Sequence, residues 1–338
     1  DQMSSMHIIE IVPDDVYRND ALYLEWEDDL FSRFIEKFPT SAFGYKEKAL
    51  SLVNDSKYEE AARMMETGIK KSAAKDEAHS DYSDIIYQKI IYKGDSVYTA
   101  WTLDKALDEA RQAYAIKAQP VYKHQEARIL FTKGNYADAA NIFLDLTKTP
   151  INSGELYLEA AQAKTRLKAP DSEIEMLLDS AVSVGARTNM AGPYYLARGQ
   201  YLAGKGQYRR AVQDFNMYDS IARPVDPAFF YARYQCETKL RMWQPALLDI
   251  ARTCYLSPKE PTFFAEWASL DLRVKRYDEG ISAASRCIEL APEYADGYLL
   301  LGLLYKEKNM KAEAIKNLKK AEELGDKRAA GYLEKIKK

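Results

Sequence analysis

The feature that most constrains this chain is an internal repeat near its C-terminal end. Ala246, Gly280 and Ala314 follow one another at intervals of 34 residues. Ile250 and Ala284 keep the same spacing. A period of this length is typical of chains that stack copies of one small helical or strand unit. Because such a unit cannot bury its apolar face alone, the period predicts a stack with one continuous core.

Weaker copies of the pattern occur upstream. They are Tyr45, Ala49, Tyr58, Ala61 and Met65; Ala127, Tyr136, Ala139 and Phe143; and Gly199, Tyr208, Ala211 and Phe215. Counted from residues 42, 120 and 192, these copies have a small residue at positions 8 and 20, tyrosine at position 17 and a large apolar residue at position 24. Over about nine-tenths of its length the chain therefore resembles the tetratricopeptide-repeat family. The resemblance implies an all-α fold, a right-handed superhelical α-solenoid of stacked helix–turn–helix repeats.

This register predicts the domain organisation. Residues 1–19 fit no repeat, residues 20–41 form a capping helix, and residues 329–338 form a C-terminal capping helix. About eight repeats fill residues 42–328, namely 42–75, 76–119, 120–153, 154–191, 192–226, 227–260, 261–294 and 295–328. The second repeat carries an insertion, for which Gly94, Asp95, Ser96 and Tyr98 indicate a loop. The short turns between paired helices are expected at Lys133–Asn135, Lys205–Gln207 and Lys308–Met310.

Two repeats depart from the pattern. Tyr234 stands where position 8 should be small, and the 154–191 repeat has Pro170 in its turn and Glu173 near position 20. Both are expected to pack less regularly. At the regular small positions Gly199, Ala246, Gly302 and Ala314 we expect tight helix–helix contacts.

Composition excludes several function classes. The 338 residues contain 48 Lys and Arg against 51 Asp and Glu, a formal net charge of -3, so a nucleic-acid binder working through a basic field is not expected. No apolar run reaches the roughly 18 residues of a transmembrane helix. The compartment stays open: the chain works in the cytoplasm or, with a targeting segment or lipid anchor removed before Asp1, in the periplasm or at the cell surface.

No constellation for catalysis is visible. The three histidines form no HExxH or HxH motif, and Gly204-Lys205-Gly206 lacks the strand and the Gly-Lys-Ser/Thr of a phosphate loop. Cys236, Cys254 and Cys287 are too few and too widely spaced for a metal site or a disulfide framework. We therefore expect no catalytic residue, no metal and no cofactor.

What remains for function is the groove lined by the first helix of each repeat. In the family, positions 2, 5, 9, 12 and 13 of that helix face the groove. The matching residues are His124, Arg128, Gln162, Arg166, Gln200, Tyr231, Gln235, Lys239 and Arg273. The set has cations and amides with few acids, and amides can pair with the backbone of an extended peptide. We therefore expect a non-catalytic scaffold whose protein or peptide partner carries acidic or carboxylate groups.

Other readings stay open. The Lys/Asn clamp of chaperone-binding relatives is absent, because Lys46 is followed by Leu50 where asparagine would stand. The main alternative is a bacterial envelope or surface lipoprotein that binds glycan or takes part in envelope assembly. An enzyme of unrecognised type would need a closed pocket with a buried acid of shifted pKa.

Overall fold

A computed structural model describes residues 30–94 and 98–337. The N-terminal segment 1–19, the first ten residues of the expected capping helix, and Asp95 and Ser96 of the expected loop lie outside the described residues. The chain divides into two compact units, residues 1–184 (unit 1) and 185–338 (unit 2).

The described residues are helices and short turns without a strand, which confirms the all-α prediction. After a helical segment at residues 30–37, the first helices are α1 (Ala42–Asn54), α2 (Tyr58–Lys71), α3 (Lys75–Lys93), α4 (Leu103–Ile116), α5 (Pro120–Thr132), α6 (Tyr136–Leu146), α7 (Gly154–Arg166) and α8 (Asp171–Arg187). The later helices are α9 (Gly192–Gly204), α10 (Tyr208–Ala222), α11 (Pro227–Lys239), α12 (Trp243–Leu256), α13 (Pro261–Val274), α14 (Tyr277–Leu290), α15 (Ala295–Glu307), α16 (Lys311–Glu323) and α17 (Lys327–Lys337). Over residues 30–94 and 98–337, no helix has the length and apolar character needed to cross a membrane.

Helices pack in consecutive pairs within each unit. In unit 1, α1 packs on α2, α3 on α4 and α5 on α6; in unit 2, α9 packs on α10, α11 on α12, α13 on α14 and α15 on α16. We call the odd-numbered helices α1–α15 the A helices and the even-numbered ones the B helices. In unit 2 the core continues from pair to pair: Leu202, Phe215 and Phe230 form one cluster, and Ile250 and Leu270 belong to the next.

Helix starts follow local sequence signals. Proline is the first residue of α5, α11 and α13, where its fixed φ suits the helix and its missing N–H costs nothing. The side chain of Asp226 accepts a hydrogen bond from the Ala228 amide at 2.9 Å and caps α11. The A helices that carry the candidate site therefore begin at defined points.

Seven turns between an A helix and its B helix share one backbone conformation, and the connection from α3 to α4 carries the insertion instead. One residue of each turn is left-handed, with φ between 55° and 87°, and these residues are Ser56, Gly134, Lys168, Gly206, Arg241, Lys275 and Asn309. Each is position 15 counted from the start of its repeat segment, and the expected turns at residues 133–135, 205–207 and 308–310 are confirmed. Glycine adopts this conformation without strain, whereas a residue with a side chain pays roughly 1–2 kcal/mol.

The small residues lie where helices meet closely. A Cβ atom on Gly199 would stand 2.9 Å from Phe215, and one on Gly302 would stand 2.7 Å from Leu318 and 3.2 Å from the Ala314 carbonyl oxygen. Ala246 and Ala314 have no exposed surface. The expectation of tight contacts at these four positions is confirmed.

The irregular sites are accommodated in different ways. Tyr234 is buried among Ala246, Ile250 and Leu270. Its hydroxyl donates a hydrogen bond to a side chain of the next A helix, α13. Pro170 directly precedes α8, and Glu173 forms an ion pair of 2.6 Å with Lys164. None of these three residues, Tyr234, Pro170 and Glu173, therefore interrupts a helix.

The insertion and the two ends have their own features. In the inserted segment, Trp101 is buried against the rings of Tyr58, Tyr82 and Tyr98. The N-terminal helical segment ends at residue 37 instead of 41, because a turn at residues 38–41 precedes α1. The C-terminal helix α17 begins at Lys327, two residues before the expected start.

Candidate binding groove

The structure places the nine predicted groove residues in two sets. His124, Arg128, Gln162 and Arg166 lie on α5 and α7 of unit 1. Gln200, Tyr231, Gln235, Lys239 and Arg273 lie on α9, α11 and α13 of unit 2. Each set is described by itself below.

In unit 2 the A helices line an open cavity of about 540 Å³. Four of the predicted residues, Gln200, Tyr231, Gln235 and Lys239, line it together with Glu266 of α13. The α10 side chains Tyr208 and Phe215, the small residues Ala203 and Gly204, and Ala232, Tyr234, Cys236 and Thr238 complete the wall. Residues from three successive A helices therefore face one space.

A second cavity of about 170 Å³ lies between α13 and α15. Tyr231 and Glu266 line both cavities, so the two are adjacent. The far side of the smaller cavity carries Asp296 and Arg328, which form an ion pair. We call the two cavities together the unit-2 groove.

Aromatic rings form one wall of the unit-2 groove. Tyr231 stacks on Tyr234, with ring centroids 5.7 Å apart and an interplanar angle of 25°, and lies 5.0 Å from the Phe263 ring of α13. The Tyr234 hydroxyl donates a hydrogen bond of 3.0 Å to Glu266 Oε2. Aromatic contacts therefore hold α11 against α13.

Two polar side chains of this groove are available to bind a ligand. Within the described residues, the Gln200 amide and the Lys239 ammonium group have no hydrogen bond or ion pair, and both side chains are exposed. Arg273 is engaged differently, because its guanidinium group lies over the Trp243 ring at 5.6 Å. A bound segment would thus meet one unpaired cation and at least one unpaired amide.

Buried ion pairs hold the A helices of unit 2 against their B helices. Arg233 makes two hydrogen bonds to Asp249, of 2.7 and 2.9 Å, and Arg198 makes two to Asp214, of 2.8 and 2.7 Å. Arg233 is only 9% exposed. These arginines point into the helix pairs, so their charge does not reach the groove.

In unit 1 two of the predicted residues, His124 and Arg128, already contact Glu159. His124 Nε2 lies 2.5 Å from Glu159 Oε2, and Arg128 Nε lies 3.9 Å from Glu159 Oε1. The Arg128 guanidinium group also lies over the Tyr87 ring at 5.6 Å. Gln162 and Arg166, on α7, are exposed.

An ion pair also joins the A helices α1 and α3 of unit 1. A largely apolar cavity of about 380 Å³ between α1 and α3 is lined by Leu50 and Ile85, with Lys46 and Asp81 at its edge. Lys46 Nζ and Asp81 Oδ1 are 3.1 Å apart. Burial raises the pKa of Asp81 to about 6, although Lys46 opposes the shift.

The A-helix face also carries acids that are not among the nine predicted residues. Asp81, Glu159 and Glu266 all contact the A-helix residues described above. Each is position 6 of its repeat segment, a position that lies one helical turn after position 2 and one before position 9. Because residues three or four apart share a helix face, the register itself could have found these acids.

The three cysteines are buried, and Cys236 belongs to the wall of the larger cavity. All three are buried free thiols, and burial raises the pKa of Cys254 to about 12 and those of Cys236 and Cys287 to about 11. The absence of a disulfide stays a prediction. Within residues 30–94 and 98–337, no group of three or more His, Cys, Asp or Glu side chains could hold a metal ion.

Comparisons with known proteins agree with this architecture. No protein-family model matches the sequence, and no curated protein matches it. Among solved structures, the C-terminal part of a tetratricopeptide-repeat protein from Cytophaga hutchinsonii is 16% identical, with a TM-score of 0.55 over 74% of this chain and 97% of that one. YrrB, described as a tetratricopeptide-repeat protein with an unusual peptide-binding site, is 19% identical, with a TM-score of 0.50 over 58% of this chain and 99% of that one. The fold of this chain is therefore that of the tetratricopeptide-repeat proteins.

Proposed function

We propose that this chain is a non-catalytic interaction scaffold that binds an extended peptide or protein segment along its A helices. The observation that carries the proposal is the unit-2 groove, in which three successive A helices expose polar side chains to one open space. An open groove between helices suits a ligand with many weak contacts better than a small substrate, which needs enclosure.

The polar groups support a peptide ligand. An extended peptide carries unpaired N–H and C=O groups, and a glutamine side chain both donates and accepts hydrogen bonds. Gln200 and Gln235 both occupy position 9, on neighbouring A helices of unit 2. They can therefore meet the same backbone at two points.

The cations favour acidic groups on the partner. Lys239 lies on the groove wall without a partner among the described residues, and in unit 1 Arg166 is exposed. A carboxylate beside Lys239 would gain a charge-assisted hydrogen bond. His124 and Arg128 contribute less, because both already contact Glu159.

A random dodecapeptide display library, selected on the whole chain, tests the proposal. We expect Lys239→Glu to weaken the enriched peptides at least about tenfold, or 1.4 kcal/mol, in calorimetric titrations. Lys316→Glu on α16, outside both cavities, is the matched charge-reversal control and should leave the affinity unchanged. Arg166→Glu tests the contribution of unit 1 separately. A library that yields no binder, or binders insensitive to Lys239→Glu, would contradict the proposal.

One observation favours the glycan alternative. The stacked Tyr231 and Tyr234 rings beside Gln235 resemble the aromatic and amide groups that contact sugars. Titration with a neutral oligosaccharide such as chitotetraose separates the two functions. Saturable binding of this sugar that is lost in Tyr231→Ala, without any peptide binder, would replace the peptide by a glycan.

A further inference from the structure

Glu266 is an exposed carboxylate of the unit-2 groove. It lies on α13, lines both cavities and accepts one hydrogen bond, from the Tyr234 hydroxyl. Within the described residues its carboxylate forms no ion pair, in contrast to Asp81 and Glu159 at the same repeat position. A carboxylate that stays unpaired among rings attracts a cation.

The nearby cations are held elsewhere. Arg273 lies over the Trp243 ring, and Arg328 is paired with Asp296 and Asp326. Lys239 is five residues beyond Tyr234 on α11, which places it about 7.5 Å farther along the helix axis than the residue that contacts Glu266. Within the described residues, no Lys or Arg side chain therefore forms an ion pair with Glu266, although Arg328 lines the same smaller cavity.

The tyrosines near Glu266 stay neutral. Burial, followed by the charge of Glu266, raises the pKa of both Tyr231 and Tyr234. Burial and the charge of Asp296 raise the pKa of Tyr294, with a smaller contribution from Glu266. A cation placed here would meet the Glu266 carboxylate with neutral tyrosine side chains beside it, and the carboxylate attracts it.

The smaller cavity has a mixed lining, in which Thr262, Ser269, Asp296 and Arg328 are polar beside Glu266 and the remaining side chains offer apolar surface. Ala265, Leu299 and Leu300 line the smaller cavity beside Glu266, so an aliphatic chain can pack there while its charged end reaches the carboxylate. A metal ion would need more carboxylate ligands than this one. Lysine and arginine side chains combine the stem and the charge.

We propose that the pocket formed by Glu266, Tyr231 and Tyr294 in the smaller cavity, next to Tyr234, receives a basic side chain of the segment bound in the unit-2 groove. This inference rests on the proposed scaffold function and adds to it the partner's chemistry. The segment then carries an acidic group for Lys239 and, separated from it along the groove, a lysine or arginine for Glu266. Such opposed charges fix the direction in which the segment binds.

A small probe tests the pocket without a natural partner. Nα-acetyl-lysine methylamide and its uncharged analogue Nα-acetyl-norleucine methylamide are titrated into the whole chain, with tyrosine ring carbons labelled for NMR. We expect saturable shifts of the Tyr231, Tyr234 and Tyr294 signals with the lysine probe only. Glu266→Gln should abolish them, because it removes the charge but keeps an acceptor for Tyr234. Glu322→Gln, which removes an exposed carboxylate of α16, should not.

The opposite results overturn the pocket. Equal shifts with the norleucine probe, shifts that survive Glu266→Gln, or no saturable shift in the wild-type chain would each exclude it. Peptides from the display library separate this failure from failure of the scaffold. A peptide whose lysine-to-norleucine change costs at least about tenfold in the wild-type chain but little in Glu266→Gln supports the pocket. A peptide that binds both proteins equally well leaves the scaffold standing and excludes only the pocket.

Discussion

The two units place their charges differently on similar helices. In unit 1, two ion pairs run from one A helix to the next, Lys46 of α1 with Asp81 of α3 and His124 of α5 with Glu159 of α7, beside pairs within a repeat such as Lys164 with Glu173. In unit 2, the strong pairs lie between an A helix and its own B helix, as in Arg233 with Asp249. The contact from α11 to α13 is mainly aromatic.

This difference decides which polar groups can meet a ligand. Position 9 or 13 of an A helix can expose a free group, as at Gln200 and Lys239, or a neutralised one, as at Arg128. The repeat position sets where a side chain points, but the neighbouring helix sets whether its charge is already used. Four sets of variants test this difference between the units.

The largest effect is expected from Arg233→Met. It would leave Asp249, which is 5% exposed, without its cation, and should destabilise unit 2 by about 3–5 kcal/mol. Lys46→Met in unit 1 removes a partly exposed pair and should cost less than about 1 kcal/mol. Urea unfolding, with hydrogen exchange to resolve the units, measures both. Equal costs would contradict the distinction between buried and exposed pairs.

The next effect concerns pH and Glu237, which is 3% exposed and close to Asp249 and Arg233. Burial and the charge of Asp249 raise the pKa of Glu237 to about 8, so the folded chain favours its neutral form. Its stabilising contribution is complete below the unfolded pKa of about 4.5 and is lost as the pH rises through 8. Unit 2 should therefore be less stable at high pH by on the order of a few kcal/mol.

The variant Glu237→Gln isolates this contribution. It should flatten the dependence of the unfolding free energy of unit 2 on pH between the two pKa values. Asp271 contributes in the same direction, since burial raises its pKa to about 6. An unchanged pH profile in Glu237→Gln would show that this carboxyl group is charged in the folded chain.

A smaller effect tests the packing that the units share. Gly302→Leu should cost about 1–3 kcal/mol, because the added side chain meets Leu318. Gly68→Leu in unit 1 should cost a similar amount, since a Cβ there would stand 2.7 Å from Tyr45. Gly331→Ala has open space and should stabilise α17 by about 0.5–1 kcal/mol. Thermal unfolding measures these changes. Destabilisation by the leucine substitution in only one of the two units would contradict a packing that both units share.

The smallest effect would make unit 1 resemble unit 2. Glu159→Gln frees His124 and Arg128, and should tighten binding of a fluorescein-labelled decaglutamate a few-fold at low salt, by less than about 1.4 kcal/mol. Glu155→Gln, an exposed change on the same helix, is the control. Because exposed charges are screened, the gain should vanish at high salt. Equal gains in both variants would reflect net charge alone.

The register of small and aromatic residues was sufficient to predict helices, turns and close contacts. Gly302 and Ala314 could be assigned to tight contacts because only small residues let two helices approach closely. The sequence also contained signals that went unused. Position 6 holds Asp81, Glu159 and Glu266, and the 16-residue spacing of Arg198 to Asp214 and of Arg233 to Asp249 repeats 35 residues later.

The sequence by itself determined the helical repeat, the positions of its turns and the face on which Gln200 and Lys239 lie, since these follow from local periodicity. The packing of the helices decides that Glu159 contacts His124, whereas Glu266 accepts a hydrogen bond from Tyr234 and, within the described residues, forms no ion pair. The reason is that pairing depends on the distance between atoms of different helices, and side chains about 34 residues apart in sequence come within a few ångströms only when the helices stack.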